Sequence, residues 1–165
     1  MIKLANILVA TDFSETSDSA LEYGRTLART FGARLHVLHV VEFSFTWAAV
    51  NGAAYDAVAI QQGLEEDSRK KLEDLVGPDN GHPATIKVVK TGTAPAFLIA
   101  DYAKDANIDL IVMGTHGRGM MGHLLLGSVA ERVVRIAPCP VLTLRNPEHE
   151  FVIPDALQAI AATRG

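Results

Sequence analysis

The chain has little cysteine and few aromatic residues, and each shortage excludes a class of protein. A single cysteine, Cys139, among 165 residues rules out an internal disulfide and a zinc site built from several thiolates. Cys139 lies between two prolines and is expected to be a small apolar filler. Aromatic residues make up 6% of the chain, and no basic cluster is interleaved with them. Because the formal net charge is also −4, nucleic acid is not expected as the main partner.

Long apolar runs are also missing. The amino-terminal run, residues 7–10, ends at a polar turn and is too short for a secretory leader or a membrane span. We therefore expect a cytoplasmic protein with no membrane partner. Hydrophobic residues at 48% and charged residues at 21% favour one packed domain. We place this domain at residues 1–145 and expect residues 146–165 to form a C-terminal extension.

Short apolar runs alternate with helical patterns along the chain. The apolar runs predict strands at residues 6–10, 34–41, 86–90, 108–113 and 141–144. Apolar residues at helical spacing predict helices at residues 15–31, 56–76, 95–106 and 128–137. Ser14 is the expected N-cap of the first helix, Gly32 its stop, and Pro95 the first residue of the third. In the second helix, Val58, Ile60 and Leu64 are among the residues that define the apolar pattern.

This alternation predicts an α/β domain with a five-stranded parallel sheet, helices on both faces and right-handed crossovers. In such sheets, ligands bind beyond the carboxyl ends of the strands, where the strand order reverses. The first strand ends at Ala10, Thr11 and Asp12, and the fourth ends at Met113 and Gly114. If these two strands are neighbours, their ends face one crevice.

A glycine-rich link, MGTHGRGMMGHLLLGS at residues 113–128, joins the fourth strand to the fourth helix. Its glycines are Gly114, Gly117, Gly119, Gly122 and Gly127. Glycine lets backbone N–H groups turn toward an anion, and the free N–H groups of a helix amino terminus suit a phosphate. The link therefore predicts a nucleotide-phosphate site, with a flexible surface loop as the alternative. It lacks the P-loop lysine, and its G-x-G-x-x-G spacing lies too far from the strand and helix junctions for an ordinary dinucleotide fold.

Two other polar patterns have ordinary structural explanations. The sequence EEDSRKK at residues 65–71 is interpreted as a solvated helical face with ion pairs between its side chains. His36 and His39 are three residues apart on a predicted strand and therefore face opposite sides of the sheet. They cannot bind one metal ion together.

The glycines also follow a longer spacing, G-x-x-G, nine residues, then G-[ST]. Gly114, Gly117, Gly127 and Ser128 fill every fixed position of it. With this spacing the chain resembles the universal stress protein family, and within the family its ATP-binding branch, since a sibling branch lacks these glycines. The resemblance covers roughly residues 3–145 and rests on ILVATDFSE at 7–15, DLIVMGTHGRG at 109–119 and LLLGSVAERVVRIAPCPVL at 124–142.

The resemblance implies an adenine nucleotide α-hydrolase-like, Rossmann-like fold with an adenine nucleotide at the carboxyl edge of the sheet. Ala10, Thr11 and Asp12 would border the adenine and the ribose. The Asp12 carboxylate would accept a hydrogen bond from the nucleoside. Val40 and Met113 would pack against the adenine ring.

The glycine link would bind the rest of the nucleotide. Gly114 and Gly117 would let the backbone approach the ribose and the phosphates. Gly127, Ser128 and Val129 would direct N–H groups at the phosphates. The expected ligand is ATP, or else AMP or ADP, and Mg²⁺ or Mn²⁺ could accompany it through the phosphates and Ser128.

One departure from the family lies inside the link. Met120, Met121 and His123 occupy stretches where relatives often carry lysine or arginine. Arg118 is therefore the one fixed cation that the link offers to a phosphate.

Three functions are compatible with these features. The first is an ATP-binding stress-response regulator that acts as a homodimer and has an unidentified protein partner. The resemblance implies that the dimer interface is the last strand, Val141, Leu142, Thr143 and Leu144. The second is a slow ATP hydrolase that uses the same pocket. Its candidate groups are few, namely Asp12, His116 and His123, so that binding without turnover is preferred. The third is a nucleotide-independent structural or chaperone-like dimer.

Overall fold

The computed structural model describes residues 2–44, 56–77, 85–115 and 127–145. In these ranges, strands and helices alternate. The strands are β1 (Asn6–Thr11), β2 (Arg34–Glu42), β3 (Ile86–Gly92), β4 (Leu110–Gly114) and β5 (Val141–Leu144). The helices are α1 (Glu15–Phe31), α2 (Ala57–Val76), α3 (Pro95–Asp105) and α4 (Ser128–Ile136).

The described strands form one parallel sheet in the order β3-β2-β1-β4-β5. The chain runs from β1 outward to β3, returns to the other side of β1 and continues to β5. The strand order therefore reverses between β1 and β4, which pair with Ala10 opposite Met113. The predicted α/β class and the five-stranded parallel sheet are confirmed, and the first and fourth strands meet the condition that they be neighbours.

Helices cover both faces of the sheet because successive strand residues point to opposite sides. On the α1–α2 face, Val9 and Val112 of the sheet pack in one apolar cluster with Leu21 and Leu72 of the helices. On the α3–α4 face, the corresponding cluster includes Leu8, Leu38, Ile111 and Met113 from the sheet and Ile99 and Val133 from the helices. Burial on both faces explains why β1 and β4 contain continuous apolar runs.

Helix α1 begins and ends where the sequence predicts. Ser14 is its N-cap, and Ser14 and Ser17 form a reciprocal capping box. Gly32 ends the helix in the left-handed conformation, with φ 63°, which glycine adopts at no steric cost.

The fourth strand begins at Leu110, two residues later than predicted. Ile108 and Asp109 complete a turn instead, after Asn107 at φ 50°. The Ile108 N–H donates to the Ala103 carbonyl, and Asp109 Oδ2 accepts from the N–H groups of Ala5 and Asn6 at 2.7 and 2.9 Å. The Asp109 carboxylate thus ties this turn to the chain entering β1.

The apolar pattern predicted for α2 is right only in the second half of the helix. Leu72 is buried, and Leu75 and Val76 pack against the cluster on the α1–α2 face. Val58, Ile60 and Leu64 are exposed, so their assignment to a buried stripe is wrong. The helix contacts the sheet cluster through its carboxyl-terminal turns.

Gly24 marks the closest approach of α1 to the sheet. A Cβ atom at this position would collide with Val9 Cγ2 and lie 3.5 Å from Leu35 Cδ1. Gly63, in α2, is the opposite case, since a Cβ atom there has no heavy atom within 4 Å.

We therefore expect opposite effects of one substitution at the two glycines. Gly24→Ala overpacks the core and should lower the free energy of unfolding by about 1–3 kcal/mol. Gly63→Ala reduces the freedom of the unfolded chain and should raise it by about 0.5–1 kcal/mol. Urea denaturation of both variants checks this, and equal effects at the two sites would contradict the packing described.

His36 is a buried imidazole, 5% exposed. Its Nδ1 lies 2.7 Å from the Tyr102 hydroxyl, and its Nε2 has no hydrogen-bond partner among the described residues. Burial, and secondarily the charge of Arg34, lower the pKa of His36 below its ordinary value. His39 lies on the other face against Phe13, as the spacing of the two histidines predicts.

Folding therefore lowers the proton affinity of His36. Below about pH 6.5 the unfolded chain binds this proton more readily than the folded chain, so stability should fall as the pH drops from 6.5 toward the lowered folded pKa. Urea midpoints measured between pH 7.5 and 5 should show this loss, and His36→Gln should flatten the profile. An unchanged profile in His36→Gln would assign the acid sensitivity to other groups.

Candidate functional site

A cavity of about 630 Å³ lies at the carboxyl edge of the sheet, where the strand order reverses. Its volume is in the range of pockets that hold small molecules and cofactors. The ends of β1 and β4 form its centre, the end of β2 and helix α2 form one wall, and the first turns of α3 and α4 form the opposite wall.

Most of the predicted site residues meet in this cavity. Its lining includes Ala10, Thr11, Asp12, Val40, Met113, Gly114, Gly127, Ser128 and Val129. Gly117 and Arg118 lie outside the described residues. Residues that are more than a hundred positions apart in sequence are brought together here by the β1–β4 pairing.

The turn after β1 is fixed by its own hydrogen bonds. Asp12 Oδ1 accepts from the Ser14 hydroxyl at 2.6 Å and from the Ser14 N–H at 3.2 Å. Thr11 Oγ1 accepts from the Phe13 N–H at 3.0 Å and lies 3.0 Å from Ser17 Oγ. Phe13 has φ 63°, a conformation that non-glycine residues rarely adopt. Asp12 thus holds the turn while its side chain lines the cavity.

Gly114 is required by packing inside the protein. A Cβ atom on Gly114 would lie 2.7 Å from Thr16 Cγ2 and 3.3 Å from the Thr16 carbonyl carbon. The resemblance gives Gly114 a role in letting a ligand approach the backbone. The structure adds a second reason for glycine, which is the close contact between β4 and the first turn of α1.

The amino terminus of α4 opens onto the cavity without a capping side chain. Gly127 is its N-cap, with φ −57° and ψ 148°, and no side chain caps this helix among the described residues. Ser128 is the first helical residue and does not cap the helix. The leading N–H groups of the helix, together with its positive dipole end, form an anion-binding arrangement.

Both described ends of the glycine link are fixed to the sheet. The Gly127 N–H donates to the Thr115 carbonyl at 2.6 Å, and the Thr115 N–H donates to the Leu144 carbonyl at 2.7 Å. The first turn of α4 is thereby held beside the end of β4.

The wall formed by α2 contains residues that the sequence did not predict for the site. Asp67, Ser68 and Lys71 line the cavity, although residues 65–71 were interpreted as a solvated face. The ion pairs of that interpretation are present, since Lys71 Nζ lies 2.6 Å from Asp67 Oδ2 and Arg69 pairs with Glu65 at 3.2 Å.

Ser68 contradicts the solvated interpretation, because it is only 7% exposed. The sequence does carry a signal for it. Ser68 lies four residues before Leu72, which places the serine on the same helical face as a leucine of the core. Lys71 is a cation on the cavity wall that the sequence did not predict for the site. The cation that the sequence predicts is Arg118.

Residues at the end of β2 line the cavity from both faces of the sheet. Val40 packs against the cluster on the α3–α4 face, where Met113 also lies. His39 is on the α1–α2 face, with its ring centroid 4.3 Å from that of Phe13 and Nδ1 2.8 Å from the Thr11 carbonyl oxygen. This histidine was given only a structural role from the sequence, and the contact with the Thr11 backbone fits that role.

Cys139 is partly buried against the cluster on the α3–α4 face. Burial, and next the charge of Asp109, raise the pKa of its thiol. Since the thiolate is the reactive form, Cys139 is a packing residue rather than a nucleophile.

Within residues 2–44, 56–77, 85–115 and 127–145, no three histidine, cysteine, aspartate or glutamate side chains are placed to hold a metal ion. In the same ranges, no helix combines the length and apolarity needed to cross a bilayer.

The fold and the cavity together define an α/β domain with a ligand-sized cavity at the switch point of a parallel sheet. The model of the universal stress protein family matches residues 3–145, and the chain belongs to that family.

Individual relatives agree with this assignment. The chain is 32% identical to Universal stress protein MJ0531 of Methanocaldococcus jannaschii, over 87% of the chain and 84% of the relative. It is 27% identical to the solved structure of hypothetical protein MJ0577, with a TM-score of 0.76 over 90% of the chain and 100% of that protein. The universal stress protein of Archaeoglobus fulgidus solved in complex with dAMP shares the fold, at 18% identity and a TM-score of 0.55, over 87% of the chain and 99% of that protein.

Proposed function

We propose that this protein is a cytoplasmic stress-response regulator that binds an adenine nucleotide, ATP or else AMP or ADP, and acts as a homodimer. The observation that carries the proposal is the uncapped amino terminus of α4 at one end of the cavity. Helix ends of this kind bind phosphate through backbone N–H groups and the helix dipole, and need no cationic side chain to do so.

The rest of the cavity suits a nucleoside. Val40 and Met113 form an apolar surface on which a base can pack. The Asp12 carboxylate, at the end of β1, can accept a hydrogen bond from a sugar hydroxyl. From β4 to β2 the cavity crosses two strand spacings, about 10 Å, which accommodates an elongated ligand with phosphate at one end. The dAMP complex of the Archaeoglobus fulgidus protein supports the same ligand class on this fold.

Binding without rapid turnover is the proposed mode of action. Hydrolysis needs a group that orients or deprotonates water, usually beside a metal ion. Around the α4 end of the cavity, the described side chains are those of Thr115, Ser128, Val129 and Ala130, which carry no carboxylate or imidazole. Mg²⁺ or Mn²⁺ would enter with the phosphates and could add the Ser128 hydroxyl to its ligands.

The homodimer is proposed to form through β5. Within the described sheet, β5 pairs with β4 on one side only. The Ile111 N–H donates to the Pro140 carbonyl and the Thr115 N–H to the Leu144 carbonyl. Since bonding residues alternate along a parallel strand, Leu142 also faces β4, and the N–H groups of Val141 and Thr143 point to the outer edge.

Gly127→Trp should abolish nucleotide binding, because the indole would fill the space in front of the α4 amino terminus. Titration calorimetry of nucleotide-stripped protein with ATP, AMP and adenosine, with and without Mg²⁺, measures this loss. Gly63→Trp is the matched control, since that exposed glycine has no heavy atom within 4 Å of a Cβ atom and should bind like the wild type.

Three results would contradict the proposed site or its mode of action. Wild-type ATP affinity in Gly127→Trp would show that the phosphates do not bind at the amino terminus of α4. No binding by the unmutated protein at millimolar nucleotide would favour the nucleotide-independent dimer. Steady release of phosphate from ATP by the wild type, but not by Gly127→Trp, would make the protein a hydrolase.

Thr143→Pro should convert the dimer to a monomer. Proline removes the outward N–H of the edge strand while leaving the Leu142 and Leu144 bonds to β4 in place. Sedimentation equilibrium gives the mass, and Thr143→Val, which keeps the N–H, should remain dimeric. A monomeric wild type, or a dimeric proline variant with an unchanged dissociation constant, would exclude β5 as the interface.

A further inference from the structure

Ser68 is a polar residue on the wall of the cavity. It is 93% buried, lines the cavity and makes no hydrogen bond to any of the described residues. Its oxygen is not among the described polar atoms that are both fully buried and without a partner, so it remains accessible from the cavity. A hydroxyl placed in this way on a ligand-sized cavity is available to hydrogen bond with an atom of the ligand.

Helix α2 holds this hydroxyl in a fixed position. Glu65 Oε1 accepts from Thr91 Oγ1 at 2.7 Å, which links the helix to the end of β3. The same oxygen accepts from Gln61 Nε2 at 2.8 Å, and Lys87 of β3 pairs with Glu73 further along the helix. Leu72, one turn after Ser68, is 1% exposed in the core.

The sheet order determines which end of the ligand reaches Ser68. Helix α2 packs over β2 and β3, whereas the amino terminus of α4 lies beside the end of β4. With β1 between β2 and β4, the two helices lie at opposite ends of the cavity. A nucleotide whose phosphates bind at α4 therefore extends its base toward α2.

The charges around Ser68 suit an uncharged polar group. Lys71 is already paired with Asp67 at 2.6 Å, and both side chains are about half exposed, so this end has little net charge to attract a second phosphate. A hydroxyl can both donate and accept, as the edge of a nucleobase requires.

We propose that Ser68 is a specificity-determining residue that hydrogen bonds to the polar edge of the bound base. The inference rests on the proposed adenine nucleotide site and assigns its base-recognising end to α2.

The test compares Ser68→Ala with Ser128→Ala by titration calorimetry with adenosine, AMP and ATP. Losing one hydrogen bond to the base should weaken all three ligands by the same factor, about five-fold. Ser128→Ala, at the phosphate end, should weaken AMP and ATP but leave adenosine unchanged. Ser19→Ala, the same exchange at a helical serine outside the cavity, should bind like the wild type.

A second panel tests recognition of the base itself. Purine riboside lacks the 6-amino group of adenosine, and inosine carries an oxygen there. The wild type should discriminate between adenosine and these analogues, and Ser68→Ala should reduce that discrimination. Alanine is the better helix former and loses no protein hydrogen bond here, so the melting temperature of Ser68→Ala should be equal or higher.

The outcomes separate this inference from the function on which it rests. Wild-type adenosine affinity and discrimination in Ser68→Ala would overturn the role of Ser68 and leave the nucleotide site standing. A loss confined to AMP and ATP would place phosphate at α2 and overturn the orientation. Absence of adenine nucleotide binding by the wild type would overturn both proposals.

Discussion

The parallel pairing of β1 with β4 is the constraint on which the site depends. It places β1 at the centre of the sheet, with β2 and β3 on one side and β4 and β5 on the other. Crossovers leaving β1 and β4 go to different sides, which opens a crevice beyond the ends of these two strands. The turn at Asp12 and the amino terminus of α4 border this crevice because they follow these two strands. Burial of the strands on both faces keeps the pairing in register.

Much of this could be predicted from the sequence, because the determining signals are local. β1 and β4 are buried on both faces and therefore contain continuous apolar runs. Ser14 and Gly32 bound α1 through cap chemistry that involves only neighbouring residues. The position of the predicted site followed from a topological rule and needed no knowledge of side-chain geometry. Gly117, Arg118 and the residue 146–165 extension lie outside the described residues, so those expectations stand as predictions.

The remaining features depend on contacts between distant segments. Ser68 belongs to a charged sequence and faces inward only because Leu72 fixes the rotation of α2 on the sheet. Val58 and Ile60 are exposed because the first half of α2 extends beyond the part of the helix that Leu72 packs against the sheet. The periodicity of apolar residues does not show where such a contact ends. The amino terminus of α4 is another such feature. The cap is Gly127, whose N–H is held by the Thr115 carbonyl at the end of β4.

Thr115 has a consequence for quaternary structure. Its carbonyl accepts from Gly127 at the α4 amino terminus, and its N–H donates to Leu144 at the end of β5. The proposed phosphate end of the cavity and the proposed dimer edge are therefore joined by two hydrogen bonds of one residue. Under these two proposals, a ligand that shifts Gly127 on binding would also shift the last residue of β5. Nucleotide would then change the affinity between subunits by the same factor with which assembly changes the affinity for nucleotide.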